Sequence, residues 1–106
     1  MRVRYTPEAF ADRERILEYL AERSPGGARN VAASIRDAVA QLGDQPHSGY
    51  RTDNPEVRVT FVVRYPYKIF YRVHDDVVEI LHIRHTSRRA RSSRYHPARR
   101  VPPSTR

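Results

Sequence analysis

The chain contains no cysteine, so disulfide frameworks and thiolate metal sites are excluded and a reducing compartment is the natural setting. It has no run of about 18 consecutive apolar residues, which excludes a membrane-spanning helix. The opening residues Met1-Arg2-Val3-Arg4-Tyr5 pass into a polar stretch without the apolar core of a secretion signal, which predicts a cytoplasmic protein. Acidic residues are missing from 86–106, where seven arginines stand alone, whereas residues 1–85 carry 13 basic and 12 acidic side chains, a net of +1. Of the formal charge of +8, +7 therefore belongs to the C-terminal segment, and the body is nearly neutral.

With Pro97, Pro102 and Pro103 and few apolar side chains, that segment cannot offset the entropy of ordering itself. The expected organisation is one domain over residues 1–88 followed by a basic, disordered tail over 89–106. No internal repeat precedes the tail. The five histidines are scattered, and His47, His74, His82 and His96 have no second ligand at metal-site spacing.

Residues 1–5 alternate as a short strand. Thr6-Pro7 is a helix cap followed by proline at the first helical position, where its missing N–H costs nothing. Phe10, Leu17, Leu20 and Ala21 are expected to form the apolar stripe of this helix, with Ile16 at its margin and Asp12, Arg15, Glu18 and Glu22 facing water. Ser24-Pro25 repeats the signal for a second, antiparallel helix, in which Ala28, Val31, Ala32, Ile35, Ala38, Val39 and Leu42 recur at three- and four-residue intervals until Gly43 and Pro46 end it.

Residues 44–56 read as a loop. Val57 to Arg64 and Tyr67 to Val73 alternate as strands broken by Tyr65-Pro66, and His74-Asp75-Asp76 turns the chain into a last strand from Val77 to Arg84. The fold class expected is α+β, in the order β-α-α-β-β-β, with a small antiparallel meander and a two-helix hairpin packed on one face.

Laid on these elements, the sequence resembles the RelE/ParE family of toxins from toxin–antitoxin pairs. The matching positions are Thr6-Pro7-Glu8-Ala9 with Asp12, Ile16 and Tyr19-Leu20, then Pro46 with Gly49 and Arg51, then Arg58. The most telling stretch follows: Tyr67-Lys68-Ile69-Phe70-Tyr71-Arg72-Val73, then Val78-Glu79-Ile80-Leu81, continuing through Ile83-Arg84-His85 to Arg88. The resemblance covers the chain from Val3 to about Arg89. It implies a toxin with no cofactor and no metal, neutralised by a cognate antitoxin whose disordered, acidic segment folds around it in a hetero-oligomer.

Two branches of the family imply two targets. The nuclease branch cuts messenger RNA on the ribosome through attack of a ribose 2′-hydroxyl on the adjacent phosphate, which needs a base, an acid and cations around the developing charge. His85, Arg84, Lys68 and Arg58 are the candidates for that chemistry, with Glu56 the nearest carboxylate base. Nuclease members similar to this chain carry a tyrosine just after the last strand, whereas here the sequence reads Arg84-His85-Thr86-Ser87. A histidine in that place followed by Arg88 resembles the ParE-like branch, whose target is DNA gyrase. On either branch the cations Arg58, Arg64, Lys68, Arg72, Arg84 and Arg88 are the candidate contacts to antitoxin or target. A third reading, a nucleic-acid-binding module that uses the arginine tail, stays open at the level of sequence.

Overall fold

The computed structural model describes residues 1–86. Arg88 and the basic segment 89–106 lie outside the described residues. The order of elements is β1 (Arg2–Tyr5), α1 (Pro7–Arg23), α2 (Pro25–Asp44), β2 (Tyr50–Arg51), β3 (Arg58–Phe61), β4 (Tyr67–His74) and β5 (Val77–His85). No helix among the described residues is long and apolar enough to cross a membrane.

Both helices begin as the capping logic requires. The Thr6 hydroxyl accepts from the Ala9 amide and the Ser24 hydroxyl from the Gly27 amide, each with proline at the next position. Ser24 closes α1 as well, its amide donating to the Leu20 carbonyl at 2.7 Å, so a single residue makes the reversal. Gly43 does not end α2 as its position implied. It lies within the last turn because β1 passes close by: a Cβ there would stand 2.9 Å from the Met1 carbonyl oxygen, and the Met1 ammonium donates to the Gly43 carbonyl at 2.9 Å.

The sheet differs from the expected antiparallel meander in two ways. Its order is β1-β5-β4-β3-β2, and β1 runs parallel to β5, with Arg2 opposite Val77 and Tyr5 opposite Ile80. The helical hairpin carries the chain across one face of the sheet between β1 and the later strands, a crossover that a parallel neighbour requires. The second difference is β2, a two-residue strand inside the expected loop, held by pairing of Tyr50 with Val59 and Arg51 with Arg58.

The β4–β5 hairpin turns at Asp75 and Asp76, both at positive φ (52° and 61°), the conformation of a two-residue type I′ turn. Register follows from that turn until Tyr71, where a bulge leaves Leu81 without an opposite residue, since Tyr71 faces Ile80 while Phe70 faces His82. The bulge keeps Ile80 and Ile83 on the helix side although they are three positions apart.

The main core lies between the helices and the sheet and contains Ala9, Val31, Ile35, Leu42, Ile69, Tyr71, Val78, Ile80 and Ile83. Tyr67 and Tyr71 belong to it, both buried. A smaller cluster of Val57, Val59 and Phe70, with Leu81 against it, occupies the other face of the sheet. In α1 Leu17 and Leu20, with Ile16, pack against this core as expected, whereas Ala21 is exposed and Phe10 is 54% exposed while Ala9 and Asp12 are buried. The helix meets the sheet through positions 9, 12 and 16, where a small residue and a carboxylate approach the β5 edge more closely than Phe10 could.

Candidate functional site

β1 pairs with β5 only as far as Tyr5, and the chain then turns into α1. The Thr6 amide and hydroxyl donate to the Ile80 carbonyl at 3.0 and 2.8 Å, so the start of the helix is stitched to the strand. Beyond that point β5 would have an unpaired edge. Asp12 closes it: its Oδ2 accepts from the Ile83 amide at 3.0 Å, as a neighbouring strand would.

A carboxylate 5% exposed is costly unless charge and hydrogen bonds compensate it. Asp12 has both. Its Oδ1 takes Arg15 at 2.7 Å and Arg84 at 3.3 Å, and its Oδ2 is 3.3 Å from His82 Nδ1. Arg84 Nη2 is 3.2 Å from the same His82 nitrogen, which accepts from Arg84 in the Nε2–H tautomer and donates to Asp12 in the Nδ1–H tautomer.

Around this hub is a groove of about 430 Å³ between α1 and the end of the sheet. Ile16, Ile83 and Tyr67 give it an apolar lining, Arg15 and Arg84 a cationic one, and Tyr19 and His85 complete it. The His85 ring meets Tyr67 edge to face with centroids 5.4 Å apart. Tyr19 is 54% exposed beside this groove, and Arg23 stacks on its ring at 3.7 Å.

The other sequence candidates do not converge on one point. Phe61, Lys68 and Arg84 are in register across β3, β4 and β5 and leave the same face of the sheet, with Lys68 Nζ 5.5 Å from the Phe70 ring centre. Arg58 pairs in register with Tyr71 and so leaves the opposite face, where it donates to the Gly49 carbonyl at 2.9 Å. Arg72 is bound through Nε to buried Glu79 at 2.7 Å, and Arg4 from β1 meets the same carboxylate. Arg64 is exposed in the β3–β4 connection at φ 75°. Glu56 lies near Arg58, at the end of the sheet away from His85.

Two buried, ion-paired carboxylates escaped the sequence reading. Asp12 had a signal, because positions 9, 12 and 16 share one helical face. Glu79 had one too, since a two-residue turn at 75–76 sets it opposite Arg72. A further buried polar contact, unreadable from sequence, joins the Tyr71 hydroxyl to the Gly49 amide at 2.8 Å. Burial raises the Tyr71 pKa, partly countered by that amide, the Arg58 charge and Ser48, and burial likewise raises Tyr5 against the opposing charge of Arg13.

The family described as ParE toxin of type II toxin-antitoxin system, parDE, matches residues 3–90, from the first strand past the groove and its hub. The chain belongs to the ParE toxin family. Two relatives of this ParE-family toxin extend the match. Toxin RelE2 of Caulobacter vibrioides is 36% identical over 84 residues, covering 79% of this chain and 93% of that protein. Putative toxin Y4kP of Sinorhizobium fredii is 34% identical over 84 residues, covering 79% and 86%. A solved chain from the chromosomal ParDE TA system of P. aeruginosa has the same fold, with a TM-score of 0.73 at 24% identity over 82% of this chain and 97% of that one. The RelE/ParE resemblance read from the sequence is thereby established, and with it the assignment as a toxin of a type II toxin–antitoxin system.

Proposed function

We propose that this ParE-family toxin arrests growth by binding DNA gyrase in the cytoplasm rather than by cutting RNA, and that a cognate antitoxin neutralises it in a hetero-complex. The observation that carries this reading is the engagement of the cations a nuclease would use. Arg84 is bound to Asp12 and Arg58 to the Gly49 carbonyl, so two of the three candidate phosphate clamps serve the fold. Thr86-Ser87 follow His85, without the tyrosine that the resemblance implies for the nuclease branch just after the last strand. Contacts to gyrase and antitoxin are assigned to the β5 end of the molecule, through the groove and the Lys68–Arg84 row, with Arg64 and Arg88 as outlying contacts. The domain responsible is residues 1–88.

One observation favours the ribonuclease alternative. His85 and Tyr67 are in ring contact and Arg84 lines the same groove, a histidine, a tyrosine and a cation together.

The deciding experiment expresses the full chain without antitoxin and scores growth, the SOS response and messenger RNA integrity. The gyrase reading requires growth arrest with SOS induction and intact messages. Cleaved messages, with cleavage lowered about 100-fold by His85→Ala, would establish the ribonuclease instead. Deleting residues 90–106 abolishes activity only if the arginine tail itself is the binding module.

A further inference from the structure

The helical hairpin covers one face of the sheet, and the register of the strands gives the contents of the other. Arg2, Arg4, Lys68, Arg72 and Arg84 leave that face, and Glu79 is the one carboxylate that the strands set among them. The nearly neutral body is therefore basic on its helix-free side. Glu79 engages Arg4 and Arg72, and Asp12 reaches round the β5 edge to Arg84. Lys68 is placed differently, with its Nζ 5.5 Å from the Phe70 ring centre.

Beside Lys68 the same face exposes apolar surface. Phe61 pairs with Lys68 across β3 and β4, and Tyr50 on β2 pairs with Val59, so both rings leave the helix-free side. The rings meet with centroids 6.0 Å apart and are 61% exposed at Tyr50 and 44% at Phe61. Val63, 72% exposed, follows in the β3–β4 connection with Arg64. Residues 57–74, which supply β3, β4 and that connection, hold four basic side chains and no carboxylate. Of these four, Arg58 and Arg72 are engaged by the fold, whereas no carboxylate among the described residues ion-pairs with Lys68 or Arg64. Arg64 moreover holds a charged side chain at φ 75°, where glycine costs less.

We propose that this face docks an acidic segment of a partner protein, with apolar side chains resting on Tyr50 and Phe61 and carboxylates reaching Lys68 and Arg64. An exposed aromatic pair beside unneutralised cations is complementary to that chemistry. Rings set at 60° to each other offer no parallel platform for successive bases, and Val63 has no ring to stack on, so the patch suits protein better than single-stranded nucleic acid. A second copy of the chain is disfavoured, because it would bring two sets of the same cations together. The patch extends the Lys68 row that the proposed function assigns to protein partners, and rests on that assignment; Tyr50 and Phe61 are its apolar anchors.

The test pans a random-peptide phage library on the full chain and reads the sequences that are enriched. Peptides combining Asp or Glu with aromatic or aliphatic residues are expected, and a synthetic copy of the most enriched one should bind about tenfold or more weakly to Tyr50→Ser and to Lys68→Glu. Tyr50 is exposed and Lys68 half-buried, and an amide spectrum unchanged away from the patch establishes that both variants fold. Enriched peptides without acidic residues, no enrichment at all, or binding unmoved by these variants but weakened by Tyr19→Ser at the groove would overturn the proposal. So would dimerisation of the wild-type chain that Phe61→Ser abolishes, which assigns the patch to a second copy. Binding of a fluorescent oligothymidylate that Tyr50→Ser abolishes would overturn it as well, in favour of nucleic acid. Growth arrest and SOS induction play no part in this test, so the gyrase reading stands or fails separately.

Discussion

The Asp12 carboxylate accepts a hydrogen bond from the Ile83 amide at 3.0 Å and thereby takes the place of a neighbouring strand at the β5 edge. The same carboxylate neutralises part of Arg15 and Arg84. Removing it leaves a buried amide and two cations uncompensated, so Asp12→Ala is expected to cost about 3 kcal/mol, and Asp12→Asn, which keeps an acceptor without the charge, about half that. Urea unfolding of the two variants measures both, and equal losses would mean that charge contributes nothing at this position.

Gly49 has no room for a side chain. A Cβ would stand 2.5 Å from the Tyr71 hydroxyl oxygen and 2.9 Å from the Val59 carbonyl oxygen. Gly49→Ala should therefore destabilise by roughly 2–3 kcal/mol, and Tyr71→Phe, which removes the hydroxyl bonded to the Gly49 amide, by about 1 kcal/mol. In the double variant one of the obstructing atoms is gone, so its loss should be smaller than the two single losses combined. A double-mutant cycle reads that coupling directly.

The raised pKa values of Tyr5 and Tyr71 predict a loss of stability at alkaline pH. Both phenols lie above the ordinary value of 10.0 in the fold because burial disfavours the phenolate. Below the unfolded-state value both states bind the proton and stability is unaffected. As pH rises through about 10, the unfolded chain loses these protons first, binds fewer than the native state, and stability falls. Thermal melts from pH 7 to 11 should show a flat region followed by a decline, with the phenolate absorbance of these two tyrosines appearing at higher pH in the folded chain than in the unfolded one.

Arg64 adopts a positive φ of 75° without being glycine. Relief of that backbone cost, about 1 kcal/mol, outweighs the added entropy of a glycine, so Arg64→Gly should stabilise by about 0.5 kcal/mol. The melting temperature checks this. A weakened growth arrest in the stabilised variant would assign Arg64 to target contact, since lost stability could not explain it.

The elements themselves were legible in the chain. Thr6-Pro7 and Ser24-Pro25 state where the helices start, the spacing of Val31, Ile35 and Leu42 states which face of α2 is buried, and Asp75-Asp76 states the hairpin and its register. The first turn of α1 was misread, although Leu17 and Leu20 were placed rightly, because Phe10 outweighs Ala9 on any hydrophobicity scale, whereas proximity to β5 favours the smaller residue. β2 was missed because a two-residue strand is held by its partners Val59 and Arg58 and has no periodicity of its own.

What the sequence determined alone is everything set by neighbours a few positions away: caps, helix spans, alternation, the turn at 75–76, and a family resemblance extending along the body. Only the tertiary structure decided which partners distant residues acquire. The parallel β1–β5 pair, the burial of Asp12 against Ile83 and Arg84, the clamp of Gly49 between Tyr71 and Arg58, and the division of the cations between two ends of the sheet are of this kind. Local signals report the backbone conformation of a residue, whereas the charge a side chain must neutralise and the edge it must cover exist only once the strands have been assembled.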